Sequence, residues 1–316
     1  MSPSDTILTG RVLQAESGRF LVGSGDIIVP CVLRGRIKKE ALGRKRNVVV
    51  GDEVRFMLLG SPDNPESDGV IEELLPRRNL LSRLAAGKSR KEQILMANLD
   101  RLFLIVSVKE PAFVPGLLDR FLVAAEHRRL SAWICMNKCD LDEAGRIEAK
   151  LAPYRVAGYP VLETSALSGR GLINLIAAMK DRTSLFLGPS GAGKSTLLAA
   201  IQPELKLATR SVSRATGKGR HTTTRTQLHP LDFGGFIADS PGVREFGLWG
   251  IKMEELAACF PEFRDFLGNC RFPNCSHSHE PDCGILEAVE RGDLDAGRHS
   301  SYVKMLNDLK SGGILF

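Results

Sequence analysis

The sequence predicts an α/β chain of two or three domains, with a parallel nucleotide-binding sheet at its centre, a small β-barrel before it and a helical, metal-binding segment after it. Three observations carry this. A phosphate-loop pattern, Gly188-Pro189-Ser190-Gly191-Ala192-Gly193-Lys194-Ser195-Thr196, lies between a β-like run at 184–187 and a helix-like run at 196–201. Short β-like runs separated by Gly, Ser and Asp fill the first 76 residues. Three cysteines and a histidine crowd into residues 270–283.

The phosphate loop is believable because of its flanks. A Gly-rich turn that matched by chance would not need a strand before it and a helix after it. The glycines let successive backbone N–H groups point at phosphate oxygens, and the helix adds its positive dipole end. Lys194 is expected on the β- and γ-phosphates and the Ser195 hydroxyl on Mg²⁺.

Composition sets the frame. The 316 residues are 43% apolar and 25% charged, ordinary for a chain that buries a real core. The net charge of +6 is a moderate basic bias that suits a nucleic-acid partner. No stretch approaches the length of a membrane span, and residues 1–5 lack the basic and apolar regions of a signal peptide. The expectation is a cytoplasmic monomer with no membrane partner. Of the seven cysteines, Cys31, Cys135, Cys139 and Cys259 are scattered and read as buried thiols of a reducing compartment.

Residues 1–76 carry β-like runs at 9–14, 19–22, 27–33, 47–50, 51–56 and 69–74, the size of an OB-fold barrel. Arg34, Arg36, Lys38, Lys39, Arg44, Lys45 and Arg46 fall in one long stretch that can lie against RNA phosphates, or be a solvated loop. Only Phe20 and Phe56 are available for stacking on bases, which favours backbone or shape contacts. Residues 77–94 are strongly basic and read as a linker.

Residues 95–250 alternate strands and helices, as a parallel sheet with ligands at strand C-termini requires. Strand-like runs at 102–108, 132–136 and 161–166 alternate with helix-like runs at 117–129, 142–151 and 171–180. The second strand ends in Asn137-Lys138-Cys139-Asp140. The Asp140 carboxylate can accept from guanine N1–H and its exocyclic amine, and adenine would leave that carboxylate unpaired. Asn137 suits the other base edge, the Lys138 stem covers the ring, and the Ala166 N–H of Ser165-Ala166 suits guanine O6. After the phosphate loop, residues 211–226 lack apolar periodicity and read as a mobile loop of the switch I kind. Thr222 or Thr223 within it is expected on Mg²⁺. A strand at 233–238 then ends in Asp239-Ser240-Pro241-Gly242, where Asp239 holds Mg²⁺ through water and the Gly242 N–H meets the γ-phosphate. In ordinary small GTPases the phosphate loop comes first and the guanine-reading elements last. Here that order is reversed, so the domain reads as a circularly permuted P-loop GTPase that binds GTP and GDP. Permutation leaves a folded site intact where the old termini were neighbours.

Residues 251–316 carry Cys270-x4-Cys275-x-His277-x5-Cys283, with His279 as an alternative imidazole. Thiolates with imidazole favour tetrahedral Zn²⁺, and four protein ligands make a closed structural site. Little apolar sequence surrounds these cysteines to bury them as free thiols. Helix-like runs flank the knuckle at 252–260, 284–291 and 299–309, the last with Tyr302, Met305 and Leu306 on one face.

This order of motifs resembles the RsgA family of circularly permuted GTPases that act in small ribosomal subunit biogenesis. Gly-Arg-His-Thr-Thr-Thr at 219–224, Asp-Ser-Pro-Gly-Val-Arg-Glu-Phe-Gly-Leu-Trp at 239–249 and Ser301-Tyr302 resemble its further signatures. The resemblance spans essentially the whole chain, since that family also begins with an OB-fold. It implies an OB-fold at 1–76, a basic linker at 77–94, a permuted GTPase domain at 95–250 and a zinc-binding helical domain at 251–316. It also implies GTP hydrolysis stimulated by the 30S subunit, contact with 16S rRNA, one structural Zn²⁺ on Cys270, Cys275, His277 and Cys283, and Mg²⁺ with GTP. Its nucleotide contacts fall on Gly188 to Thr196 and on Asn137 to Asp140. One departure stands out: Gly250 occupies a place where the family often carries a histidine, and Val243 stands where other GTPases carry a catalytic glutamine. No catalytic group is assigned, intrinsic hydrolysis is expected to be slow, and His221 is a weak alternative.

Overall fold

A computed structural model of the chain describes residues 6–35, 47–59, 68–84, 92–142, 144–205, 226–239 and 250–311. The contacts divide it into two compact units. One comprises Met1–Asp100, Met179–Leu185 and Leu205–Val243; the other comprises Arg101–Ala178, Phe186–Glu204 and Arg244–Phe316.

The first unit opens with β1 (Ile7–Glu16), β2 (Arg19–Ser24), β3 (Ile27–Leu33), β4 (Glu53–Leu59) and β5 (Asp68–Leu74). Antiparallel pairs β1–β2, β2–β3, β4–β5 and β1–β4, with the parallel pair β3–β5, close these strands into a five-stranded barrel. Period-two alternation builds it: Val29 and Cys31 of β3 point inward and are buried, while Ile28 and Val32 face out. Val12, Phe20, Val22, Val54, Phe56 and Ile71 fill the interior. This is the OB arrangement expected from the strand spacing.

Two local expectations differ. The apolar run at 47–50 forms no strand. It ends in a turn, and Val48 and Val50 are buried as core residues, so burial satisfies the run without ladder pairing. Asp52 locks that turn: its carboxylate accepts from Val49 N at 2.8 Å and from Arg77 Nε at 2.6 Å. The ends of the basic stretch 77–94 form an antiparallel ribbon of β6 (Leu80–Leu84) and β7 (Glu92–Ala97), in which Leu81 and Met96 pair and are fully buried. The charge of the stretch hid two short apolar faces. Residues 36–46 and 85–91, which hold most of the basic side chains noted above, lie outside the described residues.

In chain order there follow β8 (Arg101–Ser107), α1 (Pro115–His127), β9 (Ala132–Asn137), α2 (Ile147–Val156), β10 (Val161–Glu163), α3 (Leu172–Met179), β11 (Thr183–Leu187) and α4 (Lys194–Ile201). Then come β12 (Gln227–Pro230), β13 (Phe236–Asp239), α5 (Met253–Leu256), α6 (Gly284–Arg291) and α7 (Ala296–Lys310). Within the first unit, β11 and β13 are parallel, β12 and β13 antiparallel, and Gln14 of β1 pairs with Gln227 of β12. The strand β12 was not expected: four residues, one of them Pro230, carry too weak a pattern. The run expected from 233 begins as strand only at Phe236, because Gly234 and Gly235 turn the chain first.

In the second unit, β8, β9 and β10 are parallel neighbours, and β8 is buried along nearly its whole length. That double-sided burial is why its sequence is continuously apolar. Helix α1 starts at Pro115, where a missing N–H costs nothing, and buries Leu118, Leu122, Val123 and Ala125. Helix α7 carries Arg298, which is 2% exposed, into a cluster of charges and rings. Its guanidinium bonds Asp119 of α1 at 2.7 Å and Glu262 at 2.7 Å and lies over the ring of Phe260 at 4.7 Å. Tyr154 of α2 donates to the same Asp119 at 2.9 Å. Removing one partner of such a buried ion pair costs about 3–5 kcal/mol, so this cluster holds the C-terminal helix on α1 and α2. Among the described residues no helix is long and apolar enough to cross a membrane.

Candidate nucleotide and metal sites

The phosphate loop starts where β11 ends. Gly188 is needed there by close approach as well as by its φ of +155°: a Cβ would stand 2.0 Å from the Ile105 carbonyl oxygen of β8. Gly193 (φ +92°) caps α4, and a Cβ on it would stand 2.3 Å from the Asn137 amide nitrogen. Only glycine fits either position. Lys194 folds its ammonium onto the loop's own carbonyls, Gly188 O and Pro189 O, both at 2.8 Å. Ser190, Gly191, Ser195 and Thr196 are exposed on the loop and first helical turn, while Ala192 is buried beneath them. The first N–H groups of a helix have no partner inside it, so α4 presents an anion-binding end.

The strand end that carries Asn137-Lys138-Cys139-Asp140 is joined directly to this loop. Asn137 closes β9 and is 1% exposed; its Nδ2 donates to Ala192 O at 2.9 Å. The Thr164 hydroxyl donates to Asn137 Oδ1 at 3.3 Å and fixes the amide's orientation. Lys138 takes a left-handed conformation (φ +60°), which turns the chain into the short 3₁₀ segment Cys139–Leu141 and leaves Asp140 exposed. The Lys138 ammonium donates to the Glu110 carbonyl. Cys139 is buried, its N–H bonded to Thr164 O at 3.1 Å, which ties this segment to the one entering Ser165-Ala166. Ser165 is fully buried and its hydroxyl accepts from Ser168 N at 3.1 Å; Ala166 is half-buried. The structure therefore ties Asn137 to the loop at Ala192 and, through Thr164, to the Cys139 segment, with Lys138 and Ser165 as chain neighbours, all at strand C-termini.

Two contributors were not read from the sequence. Thr164 orients Asn137 and ties down Cys139. The segment after β8 lies against the loop, with Pro111 Cδ 3.3 Å from where a Gly191 Cβ would be. The rule that ligands sit beyond strand C-termini points to that segment, but its residue types do not.

Asp239 closes β13 in the first unit and is half-buried. Burial raises its carboxyl above the usual range, and His229 opposes that. Thr222, Thr223 and His221, and likewise Gly242 and Val243, lie outside the described residues.

The knuckle is compact. The ligand atoms of Cys270, Cys275, His277 and Cys283 all lie within 4.8 Å of one another. Cys270 Sγ is 3.8 Å from Cys283 Sγ, and His277 Nδ1 is 3.4 Å and 3.6 Å from those two sulfurs. A tetrahedral Zn²⁺ at ordinary bond lengths sets S···S near 3.8 Å and S···N near 3.6 Å, so the donor set fits that ion. Burial and then hydrogen bonding with Cys283 and Cys270 push the Cys275 thiol up to about 12, so a cation is what would make these sulfurs thiolates. His279 is not part of the group; its Nδ1 meets the Ser278 hydroxyl at 2.8 Å. The Glu280 carboxylate gathers the loop, accepting from Ser276 N at 2.8 Å, Ser278 N at 3.1 Å and His279 N at 3.2 Å. Helix α7 grips the same loop from its other side: His299 Nε2 donates to His277 O at 2.8 Å and Tyr302 OH to Ser276 O at 2.7 Å.

Known proteins resemble this chain over most of its length. The family model described as RsgA GTPase matches residues 74–249. The protein named small ribosomal subunit biogenesis GTPase RsgA of Gemmatimonas aurantiaca is 46% identical over 306 residues, covering 96% of this chain and 98% of its own. Among solved structures, YjeQ of Thermotoga maritima superposes with a TM-score of 0.79 at 34% identity, covering 96% of this chain and 99% of its own. YloQ, described as a circularly permuted GTPase, gives 0.77 at 30% identity, covering 100% of this chain and 99% of its own.

Proposed function

Because the chain belongs to the RsgA GTPase family and is a GTP hydrolase of the circularly permuted fold, we propose that it binds the 30S ribosomal subunit and assists its late maturation. Contact with 16S rRNA goes with this role, as does hydrolysis of GTP to GDP and phosphate stimulated by the subunit. The relatives' printed name supports the subunit, and the +6 charge supports an RNA surface. The observation that supports the nucleotide part is the bond from Asn137 to Ala192, which links the proposed base-reading strand end to the phosphate loop.

In this reading Gly188 through Thr196 hold the phosphates, with Lys194 leaving its loop carbonyls for the β- and γ-oxygens. Asp140 takes the guanine N1–H and amine, Lys138 and Cys139 shape the pocket floor, and Ser165 with Ala166 meets O6. Ser195, Thr222 or Thr223, and Asp239 would hold Mg²⁺, which would neutralise the developing phosphate charge, and the Gly242 N–H would meet the γ-phosphate. With Gly250 and Val243 where other GTPases carry water-positioning side chains, the subunit or another loop supplies that group, and intrinsic turnover is slow. Cys270, Cys275, His277 and Cys283 hold one structural Zn²⁺. The protein acts as a cytoplasmic monomer, with functional domains at 1–76, 95–250 and 251–316 joined by the linker 77–94.

The deciding experiment measures GTP turnover with and without purified 30S subunits. Stimulation of about 10-fold or more that disappears in Lys194→Ala, the lysine that clamps the phosphates, supports the reading. Equal turnover with and without subunits removes the ribosome from it.

A further inference from the structure

We propose that Arg11 of the barrel is a positioning residue for the stimulated reaction, tying the barrel to the strand pair β11–β13 so that load on the barrel reaches Asp239. The inference rests on the subunit-stimulated reading given above and deepens it, naming the route by which an RNA-bound barrel acts on hydrolysis.

The guanidinium of Arg11 is spread over three strands of the first unit. Its Nη2 donates to Glu53 Oε1 of β4 at 2.8 Å, which anchors it to the barrel wall. Its Nη1 donates to the Thr183 hydroxyl of β11, and its Cζ lies over the ring of Phe236 in β13, 5.6 Å from the centroid. Thr183 and Phe236 are register partners in the β11–β13 ladder, so one planar fork grips both members of a cross-strand pair. An arginine needed only for barrel stability would be satisfied by Glu53. Here one amino group and the ring contact are directed to strands outside the barrel.

Strand register extends the connection. Gln14 of β1 pairs with Gln227 of β12, and Gln227 pairs with Asp239 of β13, so Gln14, Gln227 and Asp239 form one row across three strands. β12 begins directly after the expected switch I stretch, and β13 ends at the residue that opens Asp239-Ser240-Pro241-Gly242. Thr183 is held from its other side as well, its N–H donating to the Asp100 carboxylate at 2.8 Å while Asp100 accepts from Arg78 at 2.6 Å. β11 thus cannot shift without disturbing either Arg11 or Asp100. The fully buried Thr183 leaves water no place to substitute for the guanidinium.

The test uses the full-length protein as Arg11→Met, Arg11→Lys and Thr183→Val. Thr183→Val removes the hydroxyl acceptor but keeps the Arg11–Glu53 pair and the strand, so it stands if Arg11→Met fails to fold. Two readouts are taken: GTP turnover alone and with 30S subunits, and hydrogen exchange of the β1–β2 peptides with GDP or a non-hydrolysable GTP analogue. The expected result is unchanged basal turnover with stimulated kcat lowered about tenfold, the subunit KM being unaffected. Analogue-dependent protection of β1 is also expected in wild type and lost in Arg11→Met and Thr183→Val. Arg11→Lys, a single point donor, should restore less than half of the stimulation. Full stimulation in Arg11→Met or Thr183→Val overturns the proposal. So does an exchange pattern in β1 that ignores the nucleotide in wild type. If wild type is not stimulated by subunits, the reading of the partner fails, and the exchange arm alone decides whether Arg11 couples the barrel to the nucleotide.

Discussion

Asn137 does two jobs, and the second is visible only in the folded chain. Its amide is aimed at the phosphate loop through Ala192 O and held there by Thr164. Gly193 leaves that amide room, since a Cβ would overlap it at 2.3 Å. Gly193→Ala should therefore lower GTP and GDP affinity by about tenfold or more, through the left-handed backbone and the displaced amide together. A fluorescent-nucleotide titration reads this, and unchanged affinity would show the cradle to be looser than drawn. The phosphate loop and Asn137-Lys138-Cys139-Asp140 were legible in the sequence because each is a short local pattern whose residue types are fixed by chemistry. Thr164 was not, because a threonine inside a strand end is ordinary until its partner 27 residues away is known. Arg11 was still less so, its partner Thr183 lying 172 residues on.

Among the elements, the C-terminal helix α7 is the one with two faces to satisfy. Arg298 bonds Asp119 and Glu262 on one side, and His299 and Tyr302 hold the knuckle backbone on the other. Stripping the metal with a strong chelator should unfold the loop at 270–283 first, since the four side chains then lose the ion that binds them together and little apolar surface holds them. Elemental analysis should give one zinc per chain before treatment. Thermal melting should fall after it and recover when zinc is returned, and a melting curve indifferent to chelation would refute a structural metal. The helix at Gly284–Arg291 matched its sequence pattern because Gly292 ends it and its apolar stripe is regular. The strand expected at 47–50 failed for a physical reason: Val48 and Val50 find their burial as single side chains from a turn. The β6–β7 ribbon was obscured because a run of basic residues masks a two-residue apolar face, and β12 because four residues cannot display a period.

At the scale of the whole molecule the net charge of +6 bears on the proposed association with RNA. Binding to the 30S subunit should weaken steeply between 50 and 200 mM salt, roughly in proportion to the number of phosphates neutralised. A filter-binding or sedimentation series across that range checks it; salt-independent binding would mean that apolar protein contacts, not phosphates, supply the affinity. The barrel was legible from strand spacing, but the pairing of β1 with β12 was not, because Gln14 and Gln227 fall in different expected domains.

That pairing also bears on how the protein is made. Arg11 leaves the translating ribosome 172 residues before Thr183, a wait of roughly 10–35 s at usual synthesis rates. Once β5 has emerged, the barrel carries an arginine without its distant acceptor for the rest of that interval, and its β1 edge waits longer still for β12. Joining the two is a long-range closure, the slow kind of folding event. The nascent chain thus completes its barrel early and gains the link proposed for Arg11 only after β11, β12 and β13 have followed.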